Sequence, residues 1–79
     1  MRLRKLIKFC DPTFPIKIFA NDEDETEPIY EGMIFDIPWW IIELKMPKHI
    51  LSGDEPIHTW YQENSNGNME GILIVTVDL

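Results

Sequence analysis

Gly71-Ile72-Leu73-Ile74-Val75-Thr76-Val77 is an almost unbroken aliphatic and β-branched run. Such a run suits a strand that lies centrally in a sheet and is covered on both faces. Just before it, Asn64-Ser65-Asn66-Gly67-Asn68 is the densest turn signal in the chain, because Asn-Gly readily takes the positive φ values of a hairpin turn. Ile57-His58-Thr59-Trp60-Tyr61-Gln62, on the other side of that turn, is rich in β-formers. The three segments together predict a hairpin around which the rest of the chain must pack.

Pro15-Ile16-Lys17-Ile18-Phe19-Ala20 alternates with a period of two and is read as another strand. An acidic run over 21–27 follows, with nothing apolar to bury, and leads as a long hairpin loop into a strand from Pro28 to Ile34. Pro28 is tolerable at a strand's start. Leu3, Leu6, Ile7 and Cys10 recur at i, i+3, i+4 and i+7, while Arg2, Arg4, Lys5 and Lys8 take the other faces. Residues 2–9 therefore read as a short amphipathic helix ended by Asp11-Pro12. A helix this short is unstable alone and must dock on the sheet. Leu3, Leu6 and Ile7 are expected to meet Ile16, Ile18, Leu73, Val75 and Val77.

The segment over 37–46 is apolar on almost every side. Asp36 is expected to cap a short helix there, with Pro38 at an early helical position, Trp39, Ile42 and Met46 on one face and Pro47 closing it. An extended conformation from Ile41 to Leu44 also fits. His49 to Pro56 reads as a connection turning at Ser52-Gly53-Asp54. The expected fold is a single small α+β domain over residues 1–79, with about four antiparallel strands and the helices on one face.

Charge narrows the partners. Fourteen Asp and Glu against seven Lys and Arg give −7, and four of the basic residues fall within the first eight positions. The remaining 71 residues carry three basic and fourteen acidic groups, a net of −11. That surface disfavours nucleic acid and favours a basic protein surface. The basic opening segment reads as the solvated face of a docked helix. No stretch approaches the length of a membrane span, no signal peptide is expected, and a lone Cys10 fits a reducing cytoplasm. Seventy-nine residues leave little room for both a core and a buried, preorganised catalytic site, so no enzymatic activity and no cofactor are expected.

Tyr30-Glu31-Gly32-Met33-Ile34-Phe35-Asp36-Ile37-Pro38, with the basic amphipathic opening, Ile16-Lys17-Ile18-Phe19 and the final aliphatic run, resembles small phage and prophage proteins of Gram-positive bacteria. Those proteins share an opening helix, a strand running into an acidic loop, a "YEG…DIP" segment and a terminal aliphatic strand. The paired Trp39-Trp40 and the long acidic loop depart from the commoner form. The resemblance implies origin in a mobile genetic element and transfers no activity and no functional residues.

Several constellations invite chemistry. Asp22-x-Asp24-x-Thr26 has the spacing that opens an EF-hand loop, yet Glu27 stands where a sharp-turning Gly is needed and Met33 where a bidentate Glu belongs. A solvated acidic loop is the preferred reading. Cys10, His49 and His58 lack any close zinc-pair spacing. Nor does the sequence mark a base, an orienter and an oxyanion site for Cys10 as a nucleophile. Cys10 is expected to act as a small apolar residue, and His58 to sit on the outer face of its strand.

Trp39-Trp40, with Trp60 and Tyr61, carries the sharper signal. Adjacent residues cannot both point into one small core. One Trp is expected to fill the core while the other covers its rim, or else the pair belongs to a protein-binding patch, where Trp is a favoured anchor. A self-associating patch would form a two-fold homodimer. The leading expectation is a non-enzymatic protein-interaction module, with Trp39, Trp40 and Trp60 giving affinity. Asp22, Glu23, Asp24, Glu25 and Glu27 would steer a basic partner. The alternative is an acidic nucleic-acid mimic that inhibits a host DNA-binding protein or nuclease, which requires carboxylates spread like phosphates over one face.

Overall fold

The computed structural model describes residues 2–21, 27–48 and 56–79. Its elements run α1 (Leu3–Ile7), β1 (Pro15–Ala20), β2 (Tyr30–Met33), a single 3-10 turn over Ile34–Asp36, α2 (Trp39–Ile42), β3 (Ile57–Glu63) and β4 (Met69–Val77). The α+β class stands as expected. The sheet order is β2-β1-β4-β3, so the aliphatic strand β4 is central.

The expected all-antiparallel sheet is not what forms. The sheet is mixed, because β1 and β4 run parallel, Ile16 beside Leu73 and Ala20 beside Val77. The other two pairings, β1 with β2 and β3 with β4, are antiparallel. After the first hairpin the chain crosses to the far edge, lays down β3, and returns inward as β4. That return sets β4 in the direction of β1.

Alternation along the strands divides the sheet into two faces. Ile16, Ile18, Val75 and Val77 point to one face and join Leu3, Ile34, Ile37, Ile41 and Met46 in a single buried cluster. Leu6, Ile7, Cys10, Leu73 and Ile57 pack against it, as the helix periodicity predicts. Lys17, Glu31, Trp60, Ile72 and Ile74 have the opposite parity and form the second, helix-free face. On that face Ile72 and Thr76 are still buried, at 4% and 2% exposure.

α1 is tied to the end of α2 by backbone and arginine contacts. Leu3 N–H donates to Leu44 O at 2.9 Å, Arg2 Nη1 donates to Glu43 O at 2.6 Å, and Arg4 forms an ion pair with Glu43. Cys10 is half-buried, packs against the core, and its thiol donates to Leu6 O at 3.6 Å.

The short helix near 37–46 forms only over Trp39–Ile42, and Pro38 is its N-cap. Asp36 makes no cap hydrogen bond to it and instead ends the preceding 3-10 turn. Its buried residue is Ile41, so the expected face of Trp39, Ile42 and Met46 is rotated outward at Trp39. With one turn of helix and apolar residues all round, no periodicity exists to orient it.

Candidate interaction surface

No aromatic residue of the nine in the chain is buried, and the core is built from Leu, Ile, Val and Met alone. Trp39 is 77% exposed and Trp40 47%. The expectation that one of them fills the core is therefore overturned: Ile37 and Ile41 occupy the space beneath the α2 segment. Trp39 and Trp40 stand side by side on the first turn of α2, with exposed Phe35 and Asp36 just before them. With Phe35 they make an exposed aromatic stretch along this segment, the Trp39–Trp40 ridge.

Trp60 does not join this ridge. It pairs with Ile72 in the hairpin, and that parity sends its ring to the helix-free face. The three tryptophans thus lie on two sides of the sheet, and the single aromatic patch suggested by sequence becomes two. Beside Trp60's strand, Lys17, Glu31, Met33, Gln62, Glu70 and Ile72 line a shallow depression of about 230 Å³. Lys17 and Glu31 approach to 4.0 Å across it. His58 also lies on this outer face and is half-buried.

A further aromatic pair escaped the sequence reading. Phe14 and Tyr61 converge over Gly71, their ring atoms 3.7 and 3.4 Å from where a Cβ at Gly71 would stand. The signal was present in the turn. Asn64 N–H donates to Asn68 O, and counting outward from that pair places Tyr61 opposite Gly71.

Of the acidic loop, Asp22, Glu23, Asp24 and Glu25 lie outside the described residues, as do Thr26 and His49, so the EF-hand and zinc readings that need them lie there too. Glu27 is exposed. Among the described residues no group of three or more His, Cys, Asp or Glu is placed to hold a metal ion. The described carboxylates occupy both sides of the sheet. Glu31 and Glu70 sit on the helix-free face, Glu63 has the opposite parity, and Glu43 is engaged by Arg4. Among the described residues no helix is long and apolar enough to cross a membrane.

The "YEG" element has a structural explanation. Tyr30 and Gly32 share one face of β2, and the Tyr30 ring folds over the glycine so that its hydroxyl donates to Met33 O at 2.6 Å. A Cβ at Gly32 would stand 2.8 Å from Tyr30 Oη. Desolvation, and secondarily the Asp36 carboxylate, push the Tyr30 hydroxyl above the ordinary tyrosine range. At the α1–β1 connection, Thr13 donates its N–H (2.9 Å) and hydroxyl (2.8 Å) to Asp11 Oδ1. These bonds, the backbone one first, hold that carboxyl below its ordinary range. Both residues serve the local backbone.

No family model, curated protein or solved structure matches this chain.

Proposed function

We propose that this protein is a non-enzymatic interaction module, of the kind encoded by phages and prophages, that binds a basic protein partner through the Trp39–Trp40 ridge. The observation that carries the reading is the placement of two adjacent tryptophans outside a core made wholly of aliphatic residues and Met. Burying either ring would stabilise the fold, since an aromatic of this size removes roughly 150–250 Å² from water. Side chains that forgo that gain are the ones interfaces use as anchors.

Charge supports the basic partner. Asp36 and Glu27 are exposed, and the sequence adds Asp22, Glu23, Asp24 and Glu25 to the same acidic balance. An acidic surface would steer approach, and the tryptophans would set the lifetime of the complex. The mimic reading draws less support, because the described carboxylates are divided between the two sides of the sheet.

Affinity capture from bacterial lysate with wild-type protein and with Trp40→Ala, at low and high salt, tests the proposal. A partner retained by wild type at high salt and lost by Trp40→Ala supports it. A partner held equally by both proteins, or released by both as salt rises, contradicts it.

A further inference from the structure

The outer edge of the sheet is formed by β3, a seven-residue strand with no strand beyond it among the described residues. The hairpin bonds fix which of its backbone groups turn away from β4. Thr76 N–H donates to Pro56 O and Asn64 N–H to Asn68 O, each at 2.8 Å, and both pairs lie on the register that joins Ile57 to Val75 and Glu63 to Met69. Hydrogen-bonded pairs alternate along an antiparallel ladder. His58, Trp60 and Gln62 therefore turn their N–H and C=O groups toward β4, and Ile57, Thr59, Tyr61 and Glu63 turn theirs outward.

Natural edges are protected by brevity, Pro, Lys or a bulge. The opposite edge, β2, is four residues long and carries Glu31 in an ion pair with Lys17. Across Ile57–Glu63 there is no Pro, no Lys, no Arg and no bulge in the register with β4. We infer that β3 pairs antiparallel with β3 of a second copy about a two-fold axis at Trp60, giving a continuous eight-stranded sheet.

The occupant follows from the strand's own symmetry. In that register Trp60 faces Trp60, Thr59 faces Tyr61, His58 faces Gln62, and Ile57 faces Glu63. No like charges oppose one another, since Glu63 is the only carboxylate in the strand and it meets an isoleucine. The outward backbone groups of Ile57, Thr59, Tyr61 and Glu63 fall on hydrogen-bonded pairs, which would form about eight main-chain bonds. Trp60 falls on the close, non-hydrogen-bonded pair, where cross-strand aromatic contact is strongest. Each Trp60 ring is 61% exposed and lies beside Ile72, so the contact extends one apolar strip across the axis. The surface involved is separate from the Trp39–Trp40 ridge and leaves it free.

Sedimentation velocity and light scattering on the full chain test the inference. The expected result is a concentration-dependent doubling from 9.4 kDa. Two chains of −7 each repel, so added salt is expected to tighten the dimer. Thr59→Pro removes an N–H that points away from β4, so the fold is retained while the dimer weakens by about tenfold or more. In a Cys10→Ser background, Trp60→Cys is expected to form an intermolecular disulfide and Gln62→Cys is not, because only position 60 meets itself across the axis. A monomer at all concentrations and salts overturns the inference. So does a dimer indifferent to Thr59→Pro, a dimer lost in Trp40→Ala, or equal cross-linking at positions 60 and 62.

Discussion

Replacing Gly32 by Ala probes the packing beneath the Tyr-x-Gly element most sharply. An added Cβ would stand 2.8 Å from Tyr30 Oη, closer than a real Cβ approaches another heavy atom, and 3.2 Å from Cζ, a tight contact. The ring must swing away, and its hydroxyl then loses the 2.6 Å bond to Met33 O, a loss of about 0.5–1.5 kcal/mol. Gly32 also holds φ at +157°, where an alanine adds strain of about 1 kcal/mol or more. The stiffer unfolded chain offsets about 0.4–1 kcal/mol. The net destabilisation is about 1–2 kcal/mol, and each kcal/mol lowers Tm by roughly 4–8 °C in a domain of this size.

Urea unfolding followed by circular dichroism measures the change, with Tyr30→Phe and the double variant closing a cycle. Tyr30→Phe removes the Oη contact, so Gly32→Ala should cost less in that background, with a coupling of about 0.5–1 kcal/mol. Strictly additive effects, or a Gly32→Ala protein as stable as wild type, would refute the account of this element.

Three further predictions concern the core and the ionisable groups. Ile18→Ala, at a fully buried position in the core face of β1, should lower stability by about 2–5 kcal/mol, whereas Trp39→Ala should change it by no more than about 0.5 kcal/mol; equal losses in urea unfolding would contradict the assignment of inside and outside. The Asp11 carboxyl is held below its ordinary range by Thr13, so its contribution to stability is present above the unfolded value and is lost as pH falls through the folded one. Thr13→Ala should therefore destabilise at neutral pH and converge with wild type in acid, with NMR of the Asp11 carboxyl titrating closer to the ordinary range. Tyr30 has the opposite sign: its raised value stabilises below the ordinary tyrosine range and is lost as pH rises through the folded value. Tyr30→Phe should therefore flatten the alkaline limb of the stability curve.

How much the sequence reveals depends on how locally each feature is determined. β1 was legible to the residue, Pro15–Ala20, because alternation and Pro15 are local. The second hairpin was legible from its turn, where Asn64 Oδ1 accepts from the N–H groups of Asn66 and Asn68 and Gly67 takes φ +79°. β4 starts two residues earlier than the aliphatic run, at Met69, since Met69 and Glu70 continue the pairing without being apolar.

The parallel pairing of β1 with β4 was not legible. Ile16, Ile18, Val75 and Val77 alternate identically whichever way the strands run, and direction depends on where the connection places β3. Trp39 and Trp40 failed for a related reason. A helix of four residues in an apolar run has no face that sequence can choose, and Ile37 and Ile41 filled the core first. The division of Trp60 from the other tryptophans required the register, which only the turn could supply.

The central claim is that Trp39 and Trp40 are the partner-binding surface. Hydroxyl-radical footprinting of the two side chains, with and without the captured partner, tests it most directly. The account predicts that both tryptophans are oxidised readily in the free protein and strongly protected in the complex. Trp39 and Trp40 oxidised equally in the free and bound states would contradict it.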